Sequence, residues 1–98
     1  MRVWVESNFI IKNYFEPPVA FHFGEEGGTL RQLLEKIRLL CAPVSFLEIL
    51  AEGALGDGVD SLFLNGRNYF SLERGLGTPL QDGDRVDLEI HMEPIDGG

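Results

Sequence analysis

Apolar and polar side chains alternate over residues 85–92, with Val86, Leu88, Ile90 and Met92 on one side and Arg85, Asp87, Glu89 and His91 on the other. A period of two predicts a half-buried strand. Pro94 then ends its pairing, because proline has no backbone donor. The same period runs through residues 2–11, where Val3, Val5 and Phe9 alternate with Arg2, Trp4, Glu6 and Asn8. It returns at Val19, Phe21 and Phe23 against Ala20 and His22. These two strands are expected to form an antiparallel hairpin, with a loop over residues 12–18 that Pro17 and Pro18 close.

Between residues 29 and 41 the period changes. Leu30, Leu33, Leu34, Ile37, Leu40 and Cys41 follow the spacing of one helical face. Thr29 and Gln32 form a capping box before it, and Pro43 ends the helix. Arg31 and Glu35 pair at i,i+4 on the polar side, worth about 0.3 kcal/mol.

Residues 45–54 read as a second short helix capped by Ser45, broken into a loop by Gly53, Gly56 and Gly58. Leu62-Phe63-Leu64 is a third strand, Asn65-Gly66 a hairpin turn, and Asn68-Tyr69-Phe70 a short partner strand. Residues 75–80 are irregular. Gln81-Asp82-Gly83-Asp84 is the turn into the last strand, with Gly83 supplying a positive φ. This order predicts an α+β layer: a mixed sheet of four to five strands packed on one main helix, with an extra short helix or loop near residues 45–58. The chain divides into one domain over residues 1–92 and a flexible tail over residues 93–98.

A length of 98 residues fits a single core. The single cysteine, Cys41, excludes an internal disulfide framework and agrees with a reducing cytoplasm. It is expected to be a buried core residue rather than a reactive thiol. The most apolar run, residues 39–50, is interrupted by Pro43, Ser45 and Glu48 and too short to span a membrane. A net charge of −8 with scattered basic residues argues against nucleic acid, whose phosphates would be repelled. Residues 87–98 hold four acids and no Lys or Arg, so acidity gathers beside the tail. It serves solubility or steers a basic protein partner.

No catalytic or metal constellation is visible. His22 and His91 sit singly on outward faces without metal-ligand spacing, Cys41 has no histidine partner in sequence, and Glu25-Glu26 lies in a loop without a pocket. The Gly97-Gly98 ending stands apart. At ~7% glycine usage, two terminal glycines arise by chance in roughly 0.5% of chains. Glycine allows close backbone approach through a gap too narrow for a Cβ. Six residues beyond Met92 reach ~20 Å when extended, so a partner enzyme could work on the terminal carboxyl deep in its own pocket. Fraying or a cloning remnant would explain the same two residues.

Leu62-Phe63-Leu64-Asn65-Gly66, then residues 77–86 reading Gly-Thr-Pro-Leu-Gln-Asp-Gly-Asp-Arg-Val, then the final Gly-Gly, resemble the β-grasp, ubiquitin-like sulfur carriers. These are the molybdopterin-synthase small subunit and its thiamine-pathway relative. The match is specific over residues 62–98 and general in element order over residues 2–41, and residues 43–60 do not match closely. The resemblance implies a β-grasp fold and a non-catalytic carrier. An E1-like enzyme would use ATP to adenylate Gly98, and sulfur would replace the nucleotide as a thiocarboxylate. The carrier itself would bind no cofactor. A sulfur-acceptor synthase subunit would then consume the sulfur, in molybdopterin synthesis first and thiamine synthesis next. By position Gly98 is the modified residue, Gly97 provides clearance, and Ile95 and Pro94 set the tail's path. Asp82, Gly83 and Asp84 take the family turn's structural role.

Two departures stand out. Before Gly-Gly the molybdopterin type has two prolines and a small residue, whereas here Met92-Glu93-Pro94-Ile95-Asp96 places the Asp96 charge beside the site. Residues 44–58 read as an insertion after the helix. Trp4 and Phe63 are candidates for a partner surface on the open side of the sheet, although the pattern accommodates either in a core. Two other functions share these features: a ubiquitin-like modifier joined to a target lysine through Gly98, and a noncovalent β-grasp binding module.

Overall fold

The computed structural model describes residues 1–42, 48–51 and 54–91. In chain order the elements are β1 (Arg2–Ser7), β2 (Val19–His22), α1 (Leu30–Leu40), β3 (Leu50–Ala51), β4 (Ala54–Leu55), β5 (Val59–Leu64), β6 (Arg67–Asn68) and β7 (Arg85–Ile90). Five strands form one mixed sheet in the order β2-β1-β7-β5-β6, and β3 pairs with β4 in a two-stranded sheet. β1 and β7 run parallel at its centre, with Val5 beside Val86. The neighbouring β1–β2, β5–β7 and β5–β6 pairs are antiparallel. The expected α+β arrangement of a mixed sheet on one main helix is therefore present, with five strands.

The alternation read from the sequence decides which face is buried. Val3, Val5, Val86, Leu88, Ile90 and Leu62 join Leu30, Leu33, Leu34 and Ile37 of α1 in one core, each no more than 2% exposed. Phe15 and Ile49 enter the same cluster from outside the main sheet. The start of α1 is fixed by the expected capping box: Gln32 N–H donates to Thr29 Oγ1 at 3.3 Å, and Thr29 N–H donates to Gln32 Oε1 at 2.8 Å. Cys41 caps the helix and is buried.

Several expectations need correction. β1 ends at Ser7, not at residue 11, because side chains take over from the sheet: Phe9 N–H donates to Ser7 Oγ at 3.1 Å. The helical ion pair is not Arg31–Glu35; Arg38 closes on Glu35 at 2.8 Å instead. No helix covers the described part of residues 45–54. The strands β3 and β4 lie there, with Leu50 opposite Leu55, while residues 43–47 and 52–53 lie outside the described residues. The partner strand after the Asn65-Gly66 turn is Arg67–Asn68, and Tyr69–Ser71 coils into a 3₁₀ turn because Asn68 Oδ1 accepts from Phe70 N–H at 2.9 Å. Both turn residues carry positive φ, 50° at Asn65 and 83° at Gly66, which suits a two-residue hairpin loop.

Candidate functional site

β7 carries the chain toward its glycine pair, and both ends of this strand are held. At its start, Asp84 Oδ1 accepts from Asn65 Nδ2 at 2.9 Å, and Asn65 Oδ1 accepts from Arg85 N–H at 2.9 Å. Asp84 Oδ2 accepts from Gln81 N–H at 2.8 Å, closing the turn that Gly83 makes with φ 88°. That turn is tied to β1: Gly83 N–H donates to Arg2 O at 2.8 Å, and Arg2 N–H donates to Asp82 Oδ1 at 2.7 Å. Asp82, Gly83 and Asp84 thus register β7 against β1.

The far end of β7 is held from both sides. β1 has stopped at Ser7, and the Asn8 side chain continues its pairing: Nδ2 donates to Ile90 O at 3.0 Å and Oδ1 accepts from Ile90 N–H at 2.8 Å. On the other side His91 N–H donates to Gly58 O at 2.8 Å, and the His91 ring lies 3.2 Å from Asp60. The segment leaving β7 therefore starts from a fixed point. Met92 through Gly98, and with them the site candidates Pro94, Ile95, Asp96, Gly97 and Gly98, lie outside the described residues.

The two aromatic candidates share the sheet face turned away from α1, as their positions among Val3, Val5, Leu62 and Leu64 require. The structure does not gather them into one patch. Trp4, 40% exposed, takes the Arg2 guanidinium over its ring at 5.9 Å and lines a hollow with His22 and Asp82. Phe63 is half-buried and lines a separate, acidic hollow of ≈ 520 Å³ with Glu6, Asn8, Asp87 and Glu89. Glu6 and Asp87 are direct partners across β1 and β7. Asp87 also pairs with the Arg85 guanidinium at 3.1 Å, and Arg85 lies opposite Trp4, so an ion pair on β7 separates the two aromatics.

Cys41 is 4% exposed, and burial pushes its thiol up to about 11. At neutral pH it is protonated, which removes its nucleophilic form. His22 and His91 are both exposed, as the alternation implies. Among the described residues no group of three or more His, Cys, Asp or Glu is placed to hold a metal ion. No helix among them is long and apolar enough to cross a membrane.

Sequence reasoning missed Asn8 and Phe70. Asn8 falls on the outward side of an alternating run, and nothing in periodicity marks an amide that substitutes for a strand residue. Phe70 reads as a strand position, yet in the 3₁₀ turn the residue is 86% exposed.

No family model matches the chain, and none of the curated proteins matches it significantly. Solved structures do. The HVO 2177 protein of Haloferax volcanii superposes with a TM-score of 0.67 at 19% identity, covering 100% of this chain and 87% of its own. SAMP1 of the same organism gives 0.63 at 16% identity with 100% of both chains covered. Urm1 of Trypanosoma brucei gives 0.55 at 17% identity, over 95% of this chain and 94% of its own. These likenesses, with the sheet order and the single main helix, establish a ubiquitin-like β-grasp fold.

Proposed function

We propose that this chain is a ubiquitin-like sulfur carrier that works through the carboxyl group of Gly98. One observation carries the reading: in a ubiquitin-like β-grasp, a Gly97-Gly98 sequence follows a strand whose end Asn8 and Gly58 fix in place. A fixed base and slim final residues suit delivery of an acyl end into another protein's pocket. The carrier supplies no catalysis and holds no cofactor of its own. Its partner is an E1-like adenylating enzyme of the cytoplasm.

The chemistry follows from the carboxylate. One Gly98 oxygen attacks the α-phosphate of ATP, forming the acyl-adenylate and releasing pyrophosphate. A sulfide equivalent supplied by the partner system then adds to the activated carbonyl and expels AMP, leaving a thiocarboxylate. Neither step changes the oxidation state of the acyl carbon. A synthase subunit takes up the sulfur, for a molybdopterin-type acceptor first and a thiamine-type acceptor next. Asp96 distinguishes this tail from the molybdopterin type and makes acceptor choice the property most open to change.

Intact mass of the protein isolated from its native host tests the reading. The expected species is heavier than the plain chain by the difference between one sulfur and one oxygen atom, and its fragments place that difference on Gly98. A chain that keeps an ordinary carboxylate, or that continues past Gly98, while its adenylating enzyme is present would refute it. A covalent ladder of lysine conjugates would assign the terminus to protein modification instead.

A further inference from the structure

Among the described residues, β5 is paired along its length on one side only. β7 runs against it from Val59 to Leu64, whereas β6 meets only Phe63 and Leu64. Among the described residues, no strand lies beside residues 59–62 on the β6 side. Asn65 N–H donates to Arg85 O on β7 at 2.8 Å. Alternation therefore aims the peptide groups of Leu64 and Leu62 the other way, to the β6 side. β6 takes those of Leu64, and the N–H and C=O of Leu62 face the open edge.

That edge is shaped for a guest. A cleft of ≈ 420 Å³ runs beside it, walled by Leu55, Leu62, Tyr69 and Phe70 and carrying Asp57 and Asp60. Phe70 stands 86% exposed, and its ring meets that of Tyr69 with centroids 5.4 Å apart. An apolar wall of this kind beside an open strand marks a contact surface. The occupant follows from charge. A second copy brings another −8, together with its own carboxylates, against Asp57 and Asp60. The bulge between Val59 and Ser61, with Val59 N–H donating to Gly56 O at 3.2 Å, confines the pairing available on this edge to Leu62.

We propose that this edge accepts an extended, basic segment of a partner protein, added as a strand beside residues 59–62. Its backbone pairs with Leu62, an apolar side chain enters the cleft against Leu55, Tyr69 and Phe70, and a lysine or arginine lies opposite Asp57, beside the Asp60 carboxylate that the His91 ring already meets at 3.2 Å. Backbone pairing supplies affinity, and the cleft and carboxylates supply choice. The surface acts independently of the Gly98 chemistry.

Amide NMR of the full chain decides it, with two synthetic hexapeptides as probes: one alternating lysine and valine, the other alternating lysine and proline. The lysine–valine peptide is expected to shift amides within residues 59–62 and 68–70. The lysine–proline peptide, of equal charge but without half the backbone donors, is expected to leave them in place. Phe70→Ala, which removes an exposed ring, should weaken binding about tenfold. Asp57→Asn should weaken it about threefold. Equal shifts with the proline peptide would reduce the contact to charge attraction and overturn strand addition. Shifts at β2 or on the open face, no shifts at all, or unchanged affinity in Phe70→Ala would overturn the site. A chain lacking Gly98 must bind equally well, so failure here and failure of the carrier reading are separable.

Discussion

The carboxamide of Asn8 grips the backbone of Ile90 at both ends, donating to its carbonyl at 3.0 Å and accepting from its N–H at 2.8 Å. A parallel partner strand would supply one donor and one acceptor at that place; a single side chain supplies both. Ile90 is 2% exposed, so water cannot readily substitute.

Asn8→Ala leaves both Ile90 groups without this partner. A destabilisation of about 1–3 kcal/mol is expected, read from urea unfolding, with the Ile90 amide losing hydrogen-exchange protection first. Asn8→Asp keeps the acceptor but sets a carboxylate oxygen against the Ile90 carbonyl, so it should recover only part of the loss. Equal stability of all three proteins would show that the clamp holds nothing.

Gly58 bounds the same end of β7 from the other side. A Cβ built there lies 2.5 Å from Glu48 O, the carbonyl that accepts from Gly58 N–H at 2.8 Å. Backbone cannot move aside as a flexible side chain would. Gly58→Ala is therefore expected to cost about 1–3 kcal/mol and to lower Tm measurably. Gly77→Ala, where a Cβ meets nothing within 4 Å, serves as the control and should stay within about 0.5 kcal/mol of the parent.

Much of this frame is legible in the residues. Alternation at Val3-Val5 and at Val86-Leu88-Ile90 gives both central strands and their buried face, because a sheet covered on one side forces that pattern. Thr29 with Gln32 gives the helix start, and Asn65-Gly66 gives the hairpin. Local chemistry fails where a side chain replaces backbone. Ser7 and Asn8 shorten β1, and Asn68 turns a predicted strand into a 3₁₀ turn, although each looks like an ordinary outward polar position. The β3–β4 pair is illegible for another reason. Strands of two residues carry no period, and Ser45 with Glu48 offers a plausible helical cap. In the candidate site, the Asp82-Gly83-Asp84 turn could be read from its sequence. The separation of Trp4 from Phe63 depends on strand order, which no single stretch encodes.

Cys41 offers a test in pH. Its thiol pKa rises from 9.0 to about 11 through burial, so folding favours the protonated form. The stabilisation is complete below pH 9.0 and is lost as pH climbs toward 11, where the folded thiol too gives up its proton. Unfolding free energy should fall across that window in the parent, and less in Cys41→Ala, whose baseline stability is lower. Iodoacetamide at pH 8 should label Cys41 slowly in native protein and quickly in denaturant. Fast native labelling would contradict a buried, protonated thiol.

Removing Gly98 separates stability from loading. The core residues identified among the described part of the chain run from Val3 to Ile90, and the clamps on β7 reach no further than His91. On the proposed carrier function the truncated chain is expected to melt within about 1 °C of the parent, because loss of a terminal residue is commonly tolerated. If Gly98 is the loaded residue, the same chain should fail to form an acyl-adenylate with an E1-like enzyme, measured as loss of ATP–pyrophosphate exchange. Gly97→Val probes clearance, because it keeps the Gly98 carboxylate but adds a branched Cβ to a position that the carrier reading requires to be slim. Exchange should drop by about 100-fold or more with Tm unchanged, a loss of about 2.7 kcal/mol in the activated complex. Normal exchange by Gly97→Val would mean that the pocket receiving this end is wide. The glycine pair would then have no steric role, and the case for Gly98 as the loaded residue would lose its physical basis.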